Sequence, residues 1–306
     1  MSPRWKAFIF AAALLSACAA PIERGPEFSH YLENPTPFRL LEVLSGKSNP
    51  ERRAILVQAL EAAGLPYRIE SFSNGGYLGD NVVAELGVGG PTLVLAAHYD
   101  RVPQAPGAND NASCVAALIA AYARLRKAAP PAHVKVRFLF SDGEEAGLQG
   151  AKAYLDAHGA DDVLGVASFE LCGIGNAFGI WDVHGPAEGA LIVRALVAAG
   201  EAENVYSAIH GYVPRFSSDH RVFADAGLPA VGVTVLPKPD EAVLREYVDN
   251  PNSFKWIFRF LRPTIFQTYH VPEDRPDTVQ AEALEMTARI IFQTVKAFDR
   301  LAGERG

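Results

Sequence analysis

The feature that most constrains the fold is an alternation of apolar segments with helical segments, which starts at Thr92. It predicts strands at 92–98, 134–140 and 163–170 and helices at about 112–127 and 149–158. The strand segments are apolar throughout, which is typical of strands that crossover helices cover on both faces. The chain is therefore expected to form an α/β fold, a three-layer sandwich with a mixed, mostly parallel central sheet and helices on both faces.

Segments on either side of this alternation complete the predicted domain. Asn49-Pro50 is typical of a capped helix start, and Gly64 is expected to end that helix. The segments 67–72 and 81–86 are rich in β-forming residues and are expected to pair as an antiparallel edge. The remaining predicted elements are a helix near 187–200, a strand at 230–235 and an amphipathic helix near 278–302.

The N-terminus has the features of an export signal. Arg4 and Lys6 precede an apolar run over 7–15, which is far shorter than the roughly 20 residues of a membrane-spanning helix. Leu15-Ser16-Ala17-Cys18 resembles the lipobox of bacterial lipoproteins, in which the signal is cut before the cysteine and the thiol is lipidated. The alternative is an ordinary signal peptide cut after Ala20.

The lipobox interpretation predicts a signal peptide over 1–17, a tether over 18–35 and a single catalytic domain over 36–306. The protein is then exported, as a periplasmic or cell-surface lipoprotein anchored to a bacterial membrane. A lipid on Cys18 is its one expected membrane contact. Cys114 and Cys172 remain for the domain, either as one disulfide or as two buried thiols.

The charge of the chain argues against one class of partner. The formal net charge is -7 and the pI is near 5.6, and no run of Lys and Arg could follow a phosphate backbone. Nucleic acid is therefore not an expected partner.

Acidic side chains and one histidine gather where the predicted strands end. His98 and Asp100 end the first strand, Glu144 and Glu145 follow the second, and Glu170 ends the third. Ligands of open α/β sheets bind outside the carboxyl ends of the strands. So many carboxylates need a counter-charge, because without one their mutual repulsion raises their pKa values and costs stability.

The mixture of side chains indicates which cation this is. Asp110 lies in a Gly- and Asn-rich loop before the next helix, and it joins the same sheet edge. Imidazole with carboxylates and no thiolate suits catalytic Zn²⁺, or a pair of metal ions about 3.5–4 Å apart bridged by a carboxylate. Mg²⁺ and Ca²⁺ favour oxygen ligands alone. For Glu170, the carboxylate of Asp182 is a competing candidate.

At these residues the sequence resembles a family, the co-catalytic zinc aminopeptidases secreted by bacteria, which are related to glutamate carboxypeptidase and animal-type glutaminyl cyclases. The resemblance covers residues 92–300, in the order that the family shows. The matching strings are His98-Tyr99-Asp100, Gly107-Ala108-Asn109-Asp110-Asn111-Ala112-Ser113, Asp142-Gly143-Glu144-Glu145-Ala146-Gly147-Leu148, Ser218-Asp219-His220 and Tyr269-His270.

The resemblance implies a role for each position. It makes Asp110 the bridge between two zinc ions, of which one is held also by His98 and Glu170 and the other by Glu145 and His270. Two ions are expected, and one is possible.

The resemblance also assigns the residues that would take part in the reaction. Glu144 is then the base that takes a proton from water, Tyr269 donates a hydrogen bond to the oxyanion, and Asp100 orients His98. Two positions depart from the family pattern: Glu170 stands where many relatives carry Asp, and Cys114 stands where Gly is more usual.

The implied activity is hydrolysis of the N-terminal peptide bond of peptides that have a free N-terminus. The alternative on the same scaffold is a glutaminyl-peptide cyclotransferase, although Tyr269 stands where the cyclases carry Trp. A third hypothesis is a binding module without turnover. The aromatic stretch 254–266 is expected to be either a helix packed on the core or a lid beside the metal site, and His220 to support that site.

Overall fold

One eight-stranded sheet organises the molecule, in the order β1-β2-β4-β3-β5-β8-β6-β7. The computed structural model describes residues 26–87, 89–250 and 263–305. The strands are β1 Arg68–Asn74, β2 Tyr77–Leu86, β3 Thr92–His98, β4 Lys135–Ser141, β5 Val163–Glu170, β6 Ala177–Trp181, β7 Ser207–Ile209 and β8 Ala230–Leu236.

Parallel pairing dominates the centre of the sheet. β3 lies between β4 and β5, and β8 continues from β5, all in parallel. β1 and β2 form an antiparallel pair, as predicted, and β2 is antiparallel to β4. β6 is antiparallel to β8, so the sheet is mixed and mostly parallel at its centre, which confirms the predicted fold class.

Helices cover both faces of the sheet. The helices are α1 Pro26–Glu33, α2 Pro37–Leu44, α3 Asn49–Ala62, α4 Ser113–Lys127, α5 Gln149–His158, α6 Leu191–Ala202, α7 His220–Asp225, α8 Asp240–Asp249 and α9 Ala281–Gly303. α4, α6 and α9 pack together on one face, and α5 and α7 pack on the other. This arrangement is the predicted three-layer sandwich.

The central strands explain why the sequence alternation indicated this fold. On β3, Leu93 and Leu95 belong to the large core under α4 and α9, whereas Val94 and Ala96 belong to the smaller core under α5 and α7. Alternate residues of a strand face opposite sides of a sheet, so a strand buried on both faces is apolar throughout.

The folded part begins earlier than the sequence predicts. α1 lies within residues 18–35, which the sequence assigns to a tether, and its Phe28 and Tyr31 are buried in the large core. Pro and Glu made this segment resemble a linker, yet two aromatic side chains suffice to dock it on α2. The predicted signal peptide 1–17 and Cys18 lie outside the described residues.

Several elements had no clear sequence signal. β6, β7 and α7 are short and pack against β8 or its neighbours, and α8 places Leu244 against Leu236 of β8. Residues 254–262 of the aromatic stretch lie outside the described part. Within the described residues, no helix combines the length and apolar character needed to span a membrane.

Candidate metal centre

Three parallel strands end side by side and present polar residues at one edge. His98 is the last residue of β3 and lies opposite Ser141, the last residue of β4. Glu170 ends β5 on the other side of β3. The parallel register therefore brings together side chains that are far apart in the sequence.

The loop between β3 and α4 supplies Asp110. Gly107 begins its helical turn with φ +73°, and a Cβ there would lie 2.9 Å from the carbonyl oxygen of Asp110, so this position favours glycine. Asp274 fixes the turn from the opposite side, because its carboxylate accepts hydrogen bonds from the backbone N–H groups of Asn109 at 2.6 Å and Asp110 at 3.1 Å.

The carboxylate of Asp110 lies between two histidines. Its Oδ1 is 3.3 Å from Nε2 of His98, and its Oδ2 is 3.3 Å from Nε2 of His270. Each histidine faces a second carboxylate: Oε2 of Glu170 is 3.2 Å from His98, and Oε2 of Glu145 is 3.0 Å from His270. All five predicted ligands therefore converge, in two groups of three that share Asp110.

Asp100 connects this cluster to the turn after β4. Its Oδ1 and Oδ2 accept hydrogen bonds from the backbone N–H groups of Glu144 and Glu145, both at 3.1 Å. Nδ1 of His98 lies 3.1 Å from the carbonyl oxygen of Asp100 and 3.4 Å from its Oδ1. A proton on Nδ1 leaves Nε2 free to bind a metal ion, so Asp100 is placed to orient both His98 and the two glutamates.

The electrostatics of the cluster show a deficit of positive charge. Burial raises the pKa of Glu144 well above its usual value; His98 lowers it, and the neighbouring Glu170 raises it further. Burial lowers the pKa of His98, but Glu170, Asp100 and Asp110 together raise it well above the ordinary value. Without another cation, the histidines would retain protons to balance the carboxylates.

Two buried oxygen atoms indicate that a cation fits here. Oδ2 of Asp110 and Oε1 of Glu145 are buried and accept no hydrogen bond from the part of the chain that the structure describes. A buried carboxylate oxygen without a partner is costly, and a divalent metal ion is the partner that His and carboxylate groups share. The residues present therefore fit the zinc that this arrangement of ligands suits.

Further residues of the site carried little or no sequence signal. Asp274 and the fully buried Arg52, whose guanidinium donates to the carbonyl oxygen of Gly107 at 2.8 Å, stand outside the recognised strings. Ser218 donates to Oε1 of Glu170 at 2.5 Å, and Asp219 accepts from Ser141. Both Ser218 and Asp219 belong to the string Ser218-Asp219-His220, in which the sequence indicated a role for the histidine alone.

His220 and Asp182 form a separate pair. Nε2 of His220 lies 2.9 Å from Oδ2 of Asp182, and Arg221 also binds that carboxylate. Asp182 therefore does not join the metal cluster, and the competition that it offered to Glu170 is removed. His220 contacts the ring of Trp181 edge-on, at 4.6 Å between centroids.

Tyr269 separates the cluster from an apolar cavity. Its ring stacks on His270 with centroids 3.8 Å apart, and burial followed by nearby carboxylates, Asp110 first, raises its pKa. The cavity measures about 80 Å³. Its walls are mostly apolar, and Glu170 and Tyr269 line the side next to the metal cluster. Ile265 and Phe266, the described end of the aromatic stretch 254–266, form part of one wall.

The two cysteines of the domain are buried close to this site. Cys114 is at the start of α4 and Cys172 follows β5, and both are free thiols. Of the two alternatives that the sequence left open, the structure has the buried thiols.

Two curated proteins illustrate the sequence similarity. Leupeptin-inactivating enzyme 1 of Streptomyces exfoliatus is 28% identical over 180 residues, which are 57% of this chain and 40% of that protein. The probable lipoprotein aminopeptidase LpqL of Mycobacterium tuberculosis is 37% identical over 91 residues, 29% of this chain and 18% of that protein. The chain thus spans less than half the length of these relatives.

Solved structures share the fold. BSAP, a zinc aminopeptidase from Bacillus subtilis, superposes with a TM-score of 0.56 at 20% identity, over 72% of this chain and 50% of that one. The glutaminyl cyclase of Porphyromonas gingivalis superposes with a TM-score of 0.61 at 16% identity, over 91% of this chain and 99% of that one. At these identities the likeness establishes the fold alone.

The family itself is established by the sequence. Residues 81–295 match the profile of peptidase family M28, and this range contains β3, β4 and β5 with all five clustered side chains. More than half of the chain is covered by the match. The chain belongs to peptidase family M28.

Proposed function

We propose that this chain is a zinc-dependent aminopeptidase that hydrolyses the N-terminal bond of peptides with a free N-terminus. The observation that carries the proposal is the position of Asp110, which directs one carboxylate oxygen towards each of two histidines. Each histidine also faces a second carboxylate. A bridging carboxylate between two His-carboxylate pairs is the arrangement that a two-metal hydrolase needs.

The proposed ligands divide into two sets. His98, Asp110 and Glu170 would hold one zinc ion, and Asp110, Glu145 and His270 would hold a second. Bound zinc supplies a Lewis acid that activates water and polarises the scissile carbonyl group. Glu170 is suited to its role although relatives carry the shorter Asp, because Ser218 binds its other oxygen and fixes the longer side chain.

Glu144 is the proposed general base. It forms a third potential ligand group with His98 and Glu145, in which the three ligand atoms lie within 4.8 Å of one another. Burial raises its pKa, which is the change that prepares a carboxylate to accept a proton from water and release it to the leaving amine. Asp100 is a positioning residue, because its two oxygens hold the backbone of both glutamates.

The remaining roles concern the substrate. Glu144 and Glu170 form an acidic wall that would hold the free α-ammonium group through charge-assisted hydrogen bonds. Tyr269 would donate its hydroxyl hydrogen to the oxyanion, and the raised pKa keeps that hydrogen in place at neutral pH. These assignments make a free N-terminus a requirement of the substrate.

The N-terminal sequence completes the proposal with a location. Residues 1–17 would direct export, and a lipid on Cys18 would anchor the protein to a bacterial membrane. The similarity to the probable lipoprotein aminopeptidase LpqL supports this reading. Metabolic labelling with a fatty acid, compared with a Cys18→Ser variant, tests the anchor.

A glutaminyl-peptide cyclotransferase is the second candidate, because the cyclase of Porphyromonas gingivalis matches this chain over 99% of its own length. Tyr269 favours the aminopeptidase over this alternative, since the cyclases carry Trp at that position. Two assays separate the candidates: release of a chromogenic amine from an aminoacyl amide, and release of ammonia from a peptide that begins with Gln.

The test of the main proposal combines metal analysis with turnover. Protein purified without chelator should contain one to two zinc ions per chain and release the chromogenic amine. Glu144→Gln should retain the zinc and lower kcat by about 10²–10⁴-fold, since a positioned base contributes that much. Glu188→Gln, an exposed glutamate outside the site, is the control. Normal turnover by Glu144→Gln would remove Glu144 from the mechanism.

A further inference from the structure

The apolar cavity beside the metal cluster contains a histidine that the mechanism does not use. His210 directly follows β7, where its backbone N–H donates to the carbonyl oxygen of Ile180 at 2.8 Å. Its side chain is 7% exposed and lines the cavity. Nε2 of His210 is buried and has no hydrogen-bond partner among the residues that the structure describes.

The cavity opens towards the atoms at which the reaction would occur. Glu170 and Tyr269 belong both to its lining and to the proposed site. When Glu170 helps to hold the substrate's α-ammonium group, the side chain of the substrate's first residue extends from the same α-carbon along the adjoining cavity wall. The cavity is therefore the place for the first residue's side chain, a conclusion that depends on the proposed function.

The size and shape of the cavity favour an aromatic ring. The cavity volume is about 80 Å³, and one water molecule needs about 10–15 Å³ of such a volume. The cavity therefore has room for a large side chain. Phe216 stacks on Phe266 with centroids 4.3 Å apart and forms one flat wall. Trp181 lies against Gly232, where a Cβ would meet the indole at 2.2 Å, so the position of Trp181 depends on that glycine.

His210 adds one polar requirement to this apolar space. Burial, and then the charge of Arg245, lowers the pKa of its imidazole, which is therefore neutral at pH 7. A neutral imidazole nitrogen forms one hydrogen bond, and leaving it unpaired in a buried site has a cost. The phenol hydroxyl of tyrosine satisfies it with a single bond. Phenylalanine leaves it unpaired, and the amide of glutamine brings additional polar groups into an apolar cavity.

We propose that His210 makes this protein selective for peptides whose first residue is tyrosine, with the ring held between the aromatic walls and the hydroxyl bonded to Nε2. Phenylalanine is then the second-best first residue. Charged first residues are disfavoured because, among the described residues, the lining apart from Glu170 at the metal side is uncharged, so a charge there would be buried without a partner. His210 is thus a specificity-determining residue rather than a catalytic one.

The first test is a panel of zinc-loaded assays on amides of Tyr, Phe, Leu, Ala, Gln, Glu and Lys. We expect kcat/KM for Tyr to exceed that for Phe by about fivefold to tenfold, the effect of one neutral hydrogen bond. Glu and Lys should be slower than Phe by about 100-fold or more, because their charges would be buried unpaired. Equal rates for Tyr and Phe, or a preference for Ala or a charged residue, would overturn the proposal.

The second test changes the histidine. His210→Phe should reduce the Tyr-to-Phe ratio of kcat/KM to about one, because it removes the hydrogen bond but keeps a ring of similar size. His184→Phe, at an exposed histidine that does not line the cavity, is the matched control and should preserve the wild-type ratio. A His210→Phe ratio as high as that of wild type would refute the role of His210.

Different results would refute the proposed aminopeptidase function and the proposed selectivity for tyrosine. If zinc-loaded protein hydrolyses none of the amides, the proposed aminopeptidase function is refuted, and the selectivity proposal with it. If it hydrolyses them without a preference for Tyr, only the selectivity proposal is refuted. The wild-type panel decides this even if His210→Phe does not fold.

Discussion

The metal cluster and the apolar cavity adjoin each other at Glu170 and Tyr269, yet they are built in opposite ways. The cluster consists of charged groups from a few short strings, most of them at the ends of β3, β4 and β5, and two of its buried oxygens lack donors among the described residues. The cavity consists mainly of apolar side chains from many separate elements, and no short sequence motif predicts it. In this chain, the groups proposed for the reaction therefore come from short sequence motifs, whereas the surface proposed for selectivity arises from the packing of distant elements.

The largest expected effect comes from removing the bridge of the cluster. Asp110→Asn should lose bound zinc and lower kcat/KM by about 10³-fold or more. Substitution of a residue that only orients a metal ligand typically costs roughly 10–100-fold. The reason is that one side chain serves both histidines. Elemental analysis and the amide assay measure the two losses.

Asp182→Asn is the matched control for the bridge, because Asp182 is also buried but pairs with His220 and Arg221 outside the cluster. It should retain wild-type zinc content. Full zinc content in Asp110→Asn would show that the two groups of ligands do not depend on a shared carboxylate.

A smaller effect on zinc binding is expected from Asp274, which binds the backbone of the bridging Asp110. In the wild type, the Asp274 carboxylate accepts hydrogen bonds from the backbone N–H groups of Asn109 and Asp110. Asp274→Asn replaces one of these acceptor oxygens by an amide NH₂ group, which cannot accept, so one of the two hydrogen bonds is lost. The zinc affinity should fall by about 10–100-fold, as for other residues that orient a ligand. Zinc titration with a competing chelator measures this change; an unchanged affinity would show that the loop holds Asp110 without Asp274.

A change in the cavity should leave the cluster intact. Leu244→Ala removes part of the wall, so kcat/KM for aromatic first residues should fall by about 3–10-fold while zinc content stays the same. Leu284→Ala, at a buried residue of α9 away from the cavity, controls for loss of stability. Loss of zinc in Leu244→Ala would contradict the separation of the two regions.

The smallest expected effect concerns stability against pH in chelator-treated protein. Burial raises the pKa of Asp219 to about 7, and although burial lowers the pKa of His270, Asp110 and Glu145 raise it to about 9. Both pKa values lie above those of the unfolded chain, so each group favours the folded state at low pH. The contribution of Asp219 is lost between about pH 4 and 7, and that of His270 between about pH 6.5 and 9.

The Tm of chelator-treated protein should therefore fall by about 3–6 °C between pH 6 and pH 9, given roughly 2–4 °C per kcal/mol in proteins of this size. Zinc-loaded protein should change less, since the cation replaces the protons. Asp219→Asn should reduce the slope below about pH 7, and Asp161→Asn, at an exposed position, should not. Equal slopes with and without zinc would mean that the cluster does not bind it.

Much of the fold could be predicted because the period of apolar residues is a local property. β3, β4, β5, α4, α5 and α9 were expected within a few residues of their observed bounds. The sequence assigns α1 to a tether because two buried aromatic residues in a Pro- and Glu-rich segment leave no periodic pattern. β6, β7 and α8 are short and are stabilised mainly by their neighbours, so no local pattern marked them.

By itself, the sequence determined the α/β class and gathered His98, Asp110, Glu145 and Glu170 at one sheet edge, because strand ends and Gly-rich turns are marked by neighbouring residues. His270 was predicted only through the family resemblance. Only the tertiary structure revealed that Asp274, Arg52 and Ser218 support that set, and that His210 faces an apolar cavity beside it. These contacts join residues that are distant along the chain. Their energy depends on how elements pack, and packing leaves no signature in any single stretch of sequence.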